Sequence, residues 1–341
     1  MKTFLVTGGA GFIGSHLVHA LVRRGERVRV LDDLSTGSIE NLVAVRDQVE
    51  LVVGDAGDPR VAQIALQGVN TVFHEAALPS VSRSVEDPLA SHRDCVTTTV
   101  TLLDAARRLG VQRFVYAASS SAYGNCEAQC KTESLSAQPV SPYAAAKLAG
   151  EYYCQAFAAT YGLSTVCLRY FNVFGPRQDP ASPYSAVIPL FITSMLQGRA
   201  PTIFGDGTQS RDFTYIDNVV HGNLCAAAAP ADKVSGRVFN CAMGRSTSLL
   251  QLIETLNQRL GTNIRPQLAP PRTGDVKHSL ADIQAARACL NYEPVVSLDE
   301  GLGRTIEFYR DWLANQAERS PTTREGQAAT PTTASPKSTS A

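Results

Sequence analysis

Short apolar runs and longer amphipathic stretches take turns through the first half of the chain. Residues 3–7 (TFLVT) make an apolar run of strand length, followed by glycines and a helical stretch from Phe12 to Arg24. Val28-Arg29-Val30-Leu31 reads as the next strand and ends in Asp32-Asp33. Strand, turn, helix and strand inside about 30 residues is the size of one βαβ unit. The rhythm predicts further strands at 50–53, 70–74, 112–117 and 164–170, with helices at 58–67, 88–109 and 142–161 between them. Such alternation implies an α/β protein with a doubly wound parallel sheet, helices on both faces and right-handed crossovers.

After residue 175 the rhythm breaks. Pro176, Pro180, Pro183 and Pro189 mark a loop. Beyond it, helices are expected near 187–198, 216–229, 247–260, 281–290 and 298–314, and strands at 201–204 and 237–241. This half reads as a smaller, mixed α+β cap. The expected organisation is a sheet domain over 1–175 to which some later segments return, a cap over 176–317, and a disordered tail over 318–341. The tail is too rich in Ser, Thr, Pro and Ala to bury a core.

Charge narrows the function classes. The 341 residues carry 31 Lys+Arg against 31 Asp+Glu, a formal net charge of +0. That excludes the broad basic field of a duplex-binding protein, so no nucleic-acid partner is expected. No apolar run reaches the ~18 residues of a membrane span. The apolar start is short and runs into glycines, so it reads as a strand rather than a signal peptide. Eight cysteines are scattered along the chain, and Cys126 and Cys130, the close pair, have no histidine nearby. A reduced, cytoplasmic setting without a structural metal follows.

Gly8-Gly9-Ala10-Gly11-Phe12-Ile13-Gly14 sits where the first strand turns into a helix. A dinucleotide needs glycines at this spacing: the turn is tight, the backbone approaches the pyrophosphate, and the helix packs closely on the strand with its N-terminus toward the phosphates. Asp32 ends the next strand about 20 residues on, where a carboxylate accepts bonds from the adenosine ribose and repels a 2′-phosphate. The combination reads as a Rossmann-type site for NAD rather than NADP.

Tyr143 and Lys147 lie four apart on a predicted helix, hence on one face. A tyrosine near pKa 10 is a poor base at neutral pH, and an adjacent ammonium favours its phenolate. Upstream, Ser119-Ser120-Ser121 follows a strand, at the sheet edge where ligands of open α/β proteins sit. Ser119 and Ser120 are the better placed to bond a substrate oxygen; Ser121 reads as a plain turn residue.

Together these segments resemble the extended short-chain dehydrogenase/reductase family, in particular its nucleotide-sugar 4-epimerases. The supporting motifs run in order from Thr7-Gly8-Gly9-Ala10-Gly11-Phe12-Ile13-Gly14 through Gly54-Asp55, His74-Glu75-Ala76-Ala77, Ser119 to Gly124 and Tyr143/Lys147. They continue with Arg169 to Gly175, Arg211-Asp212-Phe213 and Arg272-Thr273-Gly274-Asp275. By that resemblance, Gly8, Gly11, Phe12, Ile13, Gly14 and Asp32 hold NAD, Asp55 and Ala56 flank its adenine, and Ala76 and Ala77 line the pyrophosphate path. Tyr170 joins the cofactor set. Tyr143 is the base, Lys147 also holds the nicotinamide ribose, and both count as cofactor contacts. Ser119, Tyr143, Asn172, Gln178, Ala186, Val187, Arg211, Arg272, Asp275 and Ser279 face a UDP-sugar, the two arginines meeting its diphosphate.

The resemblance implies a reaction in which Tyr143 takes the 4-OH proton of the sugar, a 4-keto sugar forms transiently, and reduction from the other face inverts C4. Related dehydratases carry an Asp-Glu pair after the catalytic hydroxyl; Ser120-Ser121 has no carboxylate, which argues against dehydration. Within the epimerases, the stretches 177–189 and 274–282 are closest to the UDP-N-acetylglucosamine 4-epimerases. Ser279 stands where an aromatic closes the sugar pocket of glucose-restricted enzymes, and Pro79 where those enzymes carry lysine. Cys95 replaces the amide of the family's Asn-x-x-Gly-Thr segment, a change expected to cost turnover or NAD retention. Rival readings are a UDP-glucuronate epimerase or decarboxylase and a non-catalytic NAD-binding regulator. Pairing of helices 88–109 and 142–161 into a homodimer is also implied.

Overall fold

The computed structural model describes residues 2–180, 186–271 and 277–319. The expected tail lies outside them, apart from the end of the last helix. Six parallel strands come from the first half: β1 (Thr3–Thr7), β2 (Arg27–Asp32), β3 (Val49–Val53), β4 (Thr71–His74), β5 (Arg113–Ser119) and β6 (Thr165–Tyr170). After four short pieces, β7 (Val173–Phe174), β8 (Thr202–Phe204), β9 (Ser210–Arg211) and β10 (Thr214–Tyr215), the chain returns as β11 (Arg237–Cys241) and pairs with β6. The seven-stranded order is β11-β6-β5-β4-β1-β2-β3. Strand order reverses between β1 and β4, and in such a sheet the crevice outside the carboxyl ends at that point is the natural ligand site.

The strands are apolar throughout because both faces are covered. In β1, Phe4 and Val6 join a core with Leu17, Val18 and Leu21 of α1 (Phe12–Arg23). Leu5, between them, faces the opposite core with Leu66 of α2 (Pro59–Leu66) and Phe157. Alternate residues of one strand thus bind helices on opposite sides, as the pleat requires.

One predicted helix, 88–109, is built in three parts. After α3 (Val81–Glu86) come α4 (Pro88–His92), a π turn over Arg93–Thr97, and α5 (Thr98–Arg108). Thr98 Oγ1 donates to Arg93 O (3.1 Å) and Thr99 Oγ1 to Cys95 O (2.6 Å), so side chains bond carbonyls that a regular helix would pair with backbone. The bulge buries Cys95 and Val96 against Ala146 and Tyr143. The following helix, α6 (Pro142–Tyr161), has the predicted bounds: Ser141 caps Ala144 N (3.2 Å) and Pro142 opens the first turn.

The chain also forms α7 (Val187–Leu196), α8 (Ile216–Ala228), α9 (Ala231–Val234), β12 (Thr247–Ser248), α10 (Leu249–Leu260), β13 (Gln267–Ala269), α11 (Gln284–Leu290) and α12 (Leu298–Arg319), of which α8 packs on α1 and on β5 and β6. Among the described residues no helix is long and apolar enough to cross a membrane.

Candidate active site

The glycine loop is as tight as its spacing demands. Gly8 has φ 64°, and a Cβ there would lie 2.8 Å from Ala76 N. A Cβ on Gly14 would lie 2.1 Å from Gly8 O, so the start of α1 rests directly on the loop. Gly11 precedes α1 with no side-chain cap, and the first turn holds no acidic residue. The unpaired N–H groups of that turn form a site for an anion. Phe12 and Ile13 follow, packed against the core.

Asp32 ends β2 almost wholly buried and accepts from Ala10 N (2.8 Å) and Leu34 N (2.9 Å). Burial pushes its carboxyl up, against the pull of those two N–H bonds. Its oxygens keep lone pairs for two ribose hydroxyls. Asp55 is exposed just past β3 and takes Gly57 N (2.7 Å); Ala56 beside it is buried. Ala76 N donates to Thr7 Oγ1 (3.2 Å), and Ala77 packs on the cluster containing Tyr143. All these residues line the carboxyl edge of the sheet, and the donor set fits a dinucleotide with a free ribose.

Ser119 is the last residue of β5, in register with Tyr170 at the end of β6. Ser120 opens a 3₁₀ turn, Ser120–Tyr123. Ser119 Oγ accepts from Ser121 Oγ (2.8 Å) and Ser121 N (3.2 Å). Ser121, read from sequence as a plain turn, therefore orients the Ser119 hydroxyl. Burial drives the Tyr143 phenol well above its ordinary range, Cys95 and Glu75 add to this, and a hydrogen bond with Ser119 pulls it back. Lys147 is buried, donates Nζ to Ala117 O (2.8 Å) and lies 5.1 Å from the Tyr116 ring centroid. Burial lowers its pKa. The ammonium is anchored on β5, and the Ser119 hydroxyl is the group that eases ionisation of Tyr143.

Two residues past the end of β6, Asn172 stands on the wall of a cavity of about 260 Å³. Asn172, Ala186, Val187 and Arg211 line it together with Phe213 of the Arg211-Asp212-Phe213 motif, as do Phe191, Phe204 and Gln209, which the sequence reading did not single out. Asn172 has φ 36° and donates Nδ2 to Asp212 O (3.2 Å); asparagine is among the few side chains that tolerate that region. Gln178 lies apart from the cavity lining, with Nε2 on Val173 O (3.3 Å) and its Oε1 buried without a partner. Ser279 joins the edge of β9 through Ser279 N to Ser210 O (3.0 Å), next to Arg211. Arg272 and Asp275 lie outside the described residues. The aromatic walls and Gln209 were hidden because β8 and β9 are too short to show a period.

The chain is similar to known proteins over most of its length. A UDP-glucose 4-epimerase of Mycolicibacterium smegmatis is 40% identical over 315 residues, covering 91% of this chain and 99% of the relative. The structure of a UDP-N-acetylglucosamine 4-epimerase from Methanobrevibacter ruminantium, in complex with UDP-N-acetylmuramic acid, matches with TM-score 0.86 at 38% identity, over 91% of this chain and 99% of that one. That of a UDP-glucuronic acid 4-epimerase from Bacillus cereus, in complex with UDP-glucuronic acid and NAD, matches with TM-score 0.84 at 32% identity, over 91% and 100%. The sequence profile of the family described as "NAD dependent epimerase/dehydratase family" matches residues 4–242. With the glycine cradle, the Ser-Tyr-Lys cluster and this match over most of its length, the chain belongs to the NAD dependent epimerase/dehydratase family, whose cofactor is NAD.

Proposed function

We propose that this UDP-sugar 4-epimerase interconverts UDP-N-acetylglucosamine and UDP-N-acetylgalactosamine, with UDP-glucose and UDP-galactose as slower substrates. The observation that carries the reading is the meeting of Ser119, Tyr143 and Lys147 at the carboxyl edge of the sheet, where β6 leads within two residues to Asn172 on the wall of a cavity that Arg211 also lines. Tyr143 accepts the proton of the sugar 4-OH. Ser119, oriented by Ser121, donates to the same oxygen as it becomes a carbonyl. Lys147 contributes a fixed positive field. When bound, NAD supplies the hydride acceptor for the first half of the reaction and the donor for the second. The glycine loop and the N-terminus of α1 hold its pyrophosphate, and Asp32 holds its ribose. Between the halves the 4-keto sugar turns about its phosphate link, and Tyr143 then returns the proton to the inverted centre.

Arg211 meets the diphosphate through its planar fork, aided by Arg272. The apolar and aromatic walls of Phe191, Phe204 and Phe213 suit the nucleoside end. Ser279, small and pinned to β9 beside Arg211, leaves room for an N-acetyl group. One such side chain is worth ~1–3 kcal/mol, a preference rather than an exclusion. Exposed Leu89, Val85 and Tyr152 lie on α4, α3 and α6, which touch one another, and support pairing into a homodimer.

The test is NMR of the purified protein with UDP-N-acetylglucosamine and no added NAD, with UDP-glucose and UDP-glucuronate in parallel. Formation of the N-acetylgalactosamine anomer, faster than the other two epimerisations, is expected. Faster turnover of UDP-glucuronate would overturn the substrate assignment, and silence with all three after NAD is added would overturn the reaction.

A further inference from the structure

Glu75 follows β4 at the carboxyl edge of the sheet, and the reaction above does not use it. Its N–H donates to Thr7 O (3.2 Å), which ties it to the end of β1. One carboxylate oxygen accepts from the Tyr170 hydroxyl (2.8 Å), and that hydroxyl accepts in turn from Asn223 Nδ2 (2.8 Å). Asn223, fully buried on α8, gives a second bond to Val219 O (2.9 Å). The single phenolic proton of Tyr170 is thus committed to Glu75. Carboxyl, phenol and amide form one chain, from the end of β4 past β6 to α8, and it holds the carboxyl in place.

His74 is in register with Tyr116, so Glu75 stands beside Ala117, whose carbonyl holds Lys147, and two residues before Ala77, which packs in the cluster of Tyr143; from there its negative charge acts on Tyr143 and on Lys147. Titratable groups around this cluster include Cys95 of the π turn, close to Tyr143 and Lys147, Glu151 and Cys154 of α6 and His74 near Lys147, and Cys241 on β11, beyond Tyr170. We propose that Glu75 is a positioning residue that sets the charge around the base: held by Tyr170 and Asn223, it acts through Tyr143, resisting the phenolate when ionised and releasing it when protonated. This rests on Tyr143 being the base.

Burial draws the Glu75 carboxyl up to about 7, against the downward pulls of the Tyr170 hydrogen bond and of Lys147. Its charge therefore changes within the ordinary working range. Below that pH the neutral carboxyl lets Tyr143 lose its proton more easily; above it the carboxylate opposes the loss.

The experiment compares kcat against pH, and the ultraviolet titration of tyrosinate in NAD-loaded protein, for the parent, Glu75→Gln and Tyr143→Phe. Subtracting Tyr143→Phe isolates the Tyr143 signal. Glu75→Gln is expected to move both midpoints down by about one pH unit, the low end of what a close charge produces. Midpoints unchanged in Glu75→Gln overturn the role of Glu75. Activity persisting in Tyr143→Phe overturns the base assignment instead, so the two failures are distinct. Should Glu75→Gln fail to fold, Glu75→Met serves, since it removes the same charge. The Tyr143 midpoint then falls, and an unmoved midpoint counts against the proposal.

Discussion

Replacing Gly14 by alanine separates what the glycine loop does for the fold from what it does for the cofactor. The added Cβ would lie 2.1 Å from Gly8 O and 2.8 Å from both Gly8 C and Gly9 Cα. Such atoms pack at ~3.5 Å, so α1 and the loop have to part by roughly 1 Å. Every close atom is backbone, and no side chain can swing aside. Overpacking of this kind costs about 1–3 kcal/mol, a fall of roughly 2–12 °C in melting temperature. The same displacement pulls the first turn of α1 off the pyrophosphate, and NAD copurifying with the protein drops well below one per chain. Gly11→Ala gives the contrast. Its Cβ would meet only Gly8 O, at 3.1 Å, so the melting temperature changes little. NAD is nevertheless lost, because that Cβ occupies the close approach of backbone to phosphate. Melting curves and NAD released on acid precipitation measure both effects. A Gly14→Ala protein with the parent's melting temperature and NAD content would refute the reasoning.

Three further outcomes follow from the described geometry. His74 is buried between Thr7 Oγ1 (2.8 Å) and Thr99 Oγ1 (2.9 Å), and burial lowers its pKa from 6.5 to about 3. The unfolded chain binds a proton that the folded chain refuses, so stability falls as pH drops from about 6.5 toward 3, by up to ~1.4 kcal/mol per pH unit. His74→Gln removes that part of the slope in urea titrations at pH 7 and 5, while His16, lowered by burial in the same way, retains its own share. Arg169 and Glu151 form a buried two-bond ion pair (2.9 and 2.7 Å). Arg169→Met strands the carboxylate and costs ~3–5 kcal/mol in denaturant unfolding, and adding Glu151→Met restores most of it. Ser119→Ala removes the hydroxyl that eases Tyr143 ionisation, so kcat falls roughly 10–100-fold, the worth of one hydrogen bond to a charged group. Its acid limb moves to higher pH.

What the sequence discloses is the part of the fold that repeats. Strands such as Leu5-Val6 and helices such as 142–161 carry their own periodicity, and the glycine loop needs only local spacing. The π turn was illegible because the apolar stripe runs on through 88–109, while the change comes from two threonine hydroxyls bonding backward. The short strands of the cap have no period to read. The Glu75–Tyr170–Asn223 chain joins residues 95 and 53 positions apart: Glu75 and Tyr170 lie in legible motifs, but nothing in either segment pairs them or points to Asn223. Ser121 was discounted because a run of three serines looks like a turn; only its 2.8 Å bond to Ser119 reveals its use.

The return of β11 to the sheet governs the order in which the protein can be made. Until residues 237–241 leave the ribosome, the outer edge of β6 has no partner, and α8, which shares a core with α1, has just been synthesised. An open strand edge over an unfinished core is a template for pairing with other chains. The nascent sheet therefore waits, unsealed, through the synthesis of the cap's first elements. A fragment ending at 175 keeps that edge permanently, and it is expected to aggregate where the full chain stays dispersed. The seven-stranded sheet is complete only once the strand that seals it is in place.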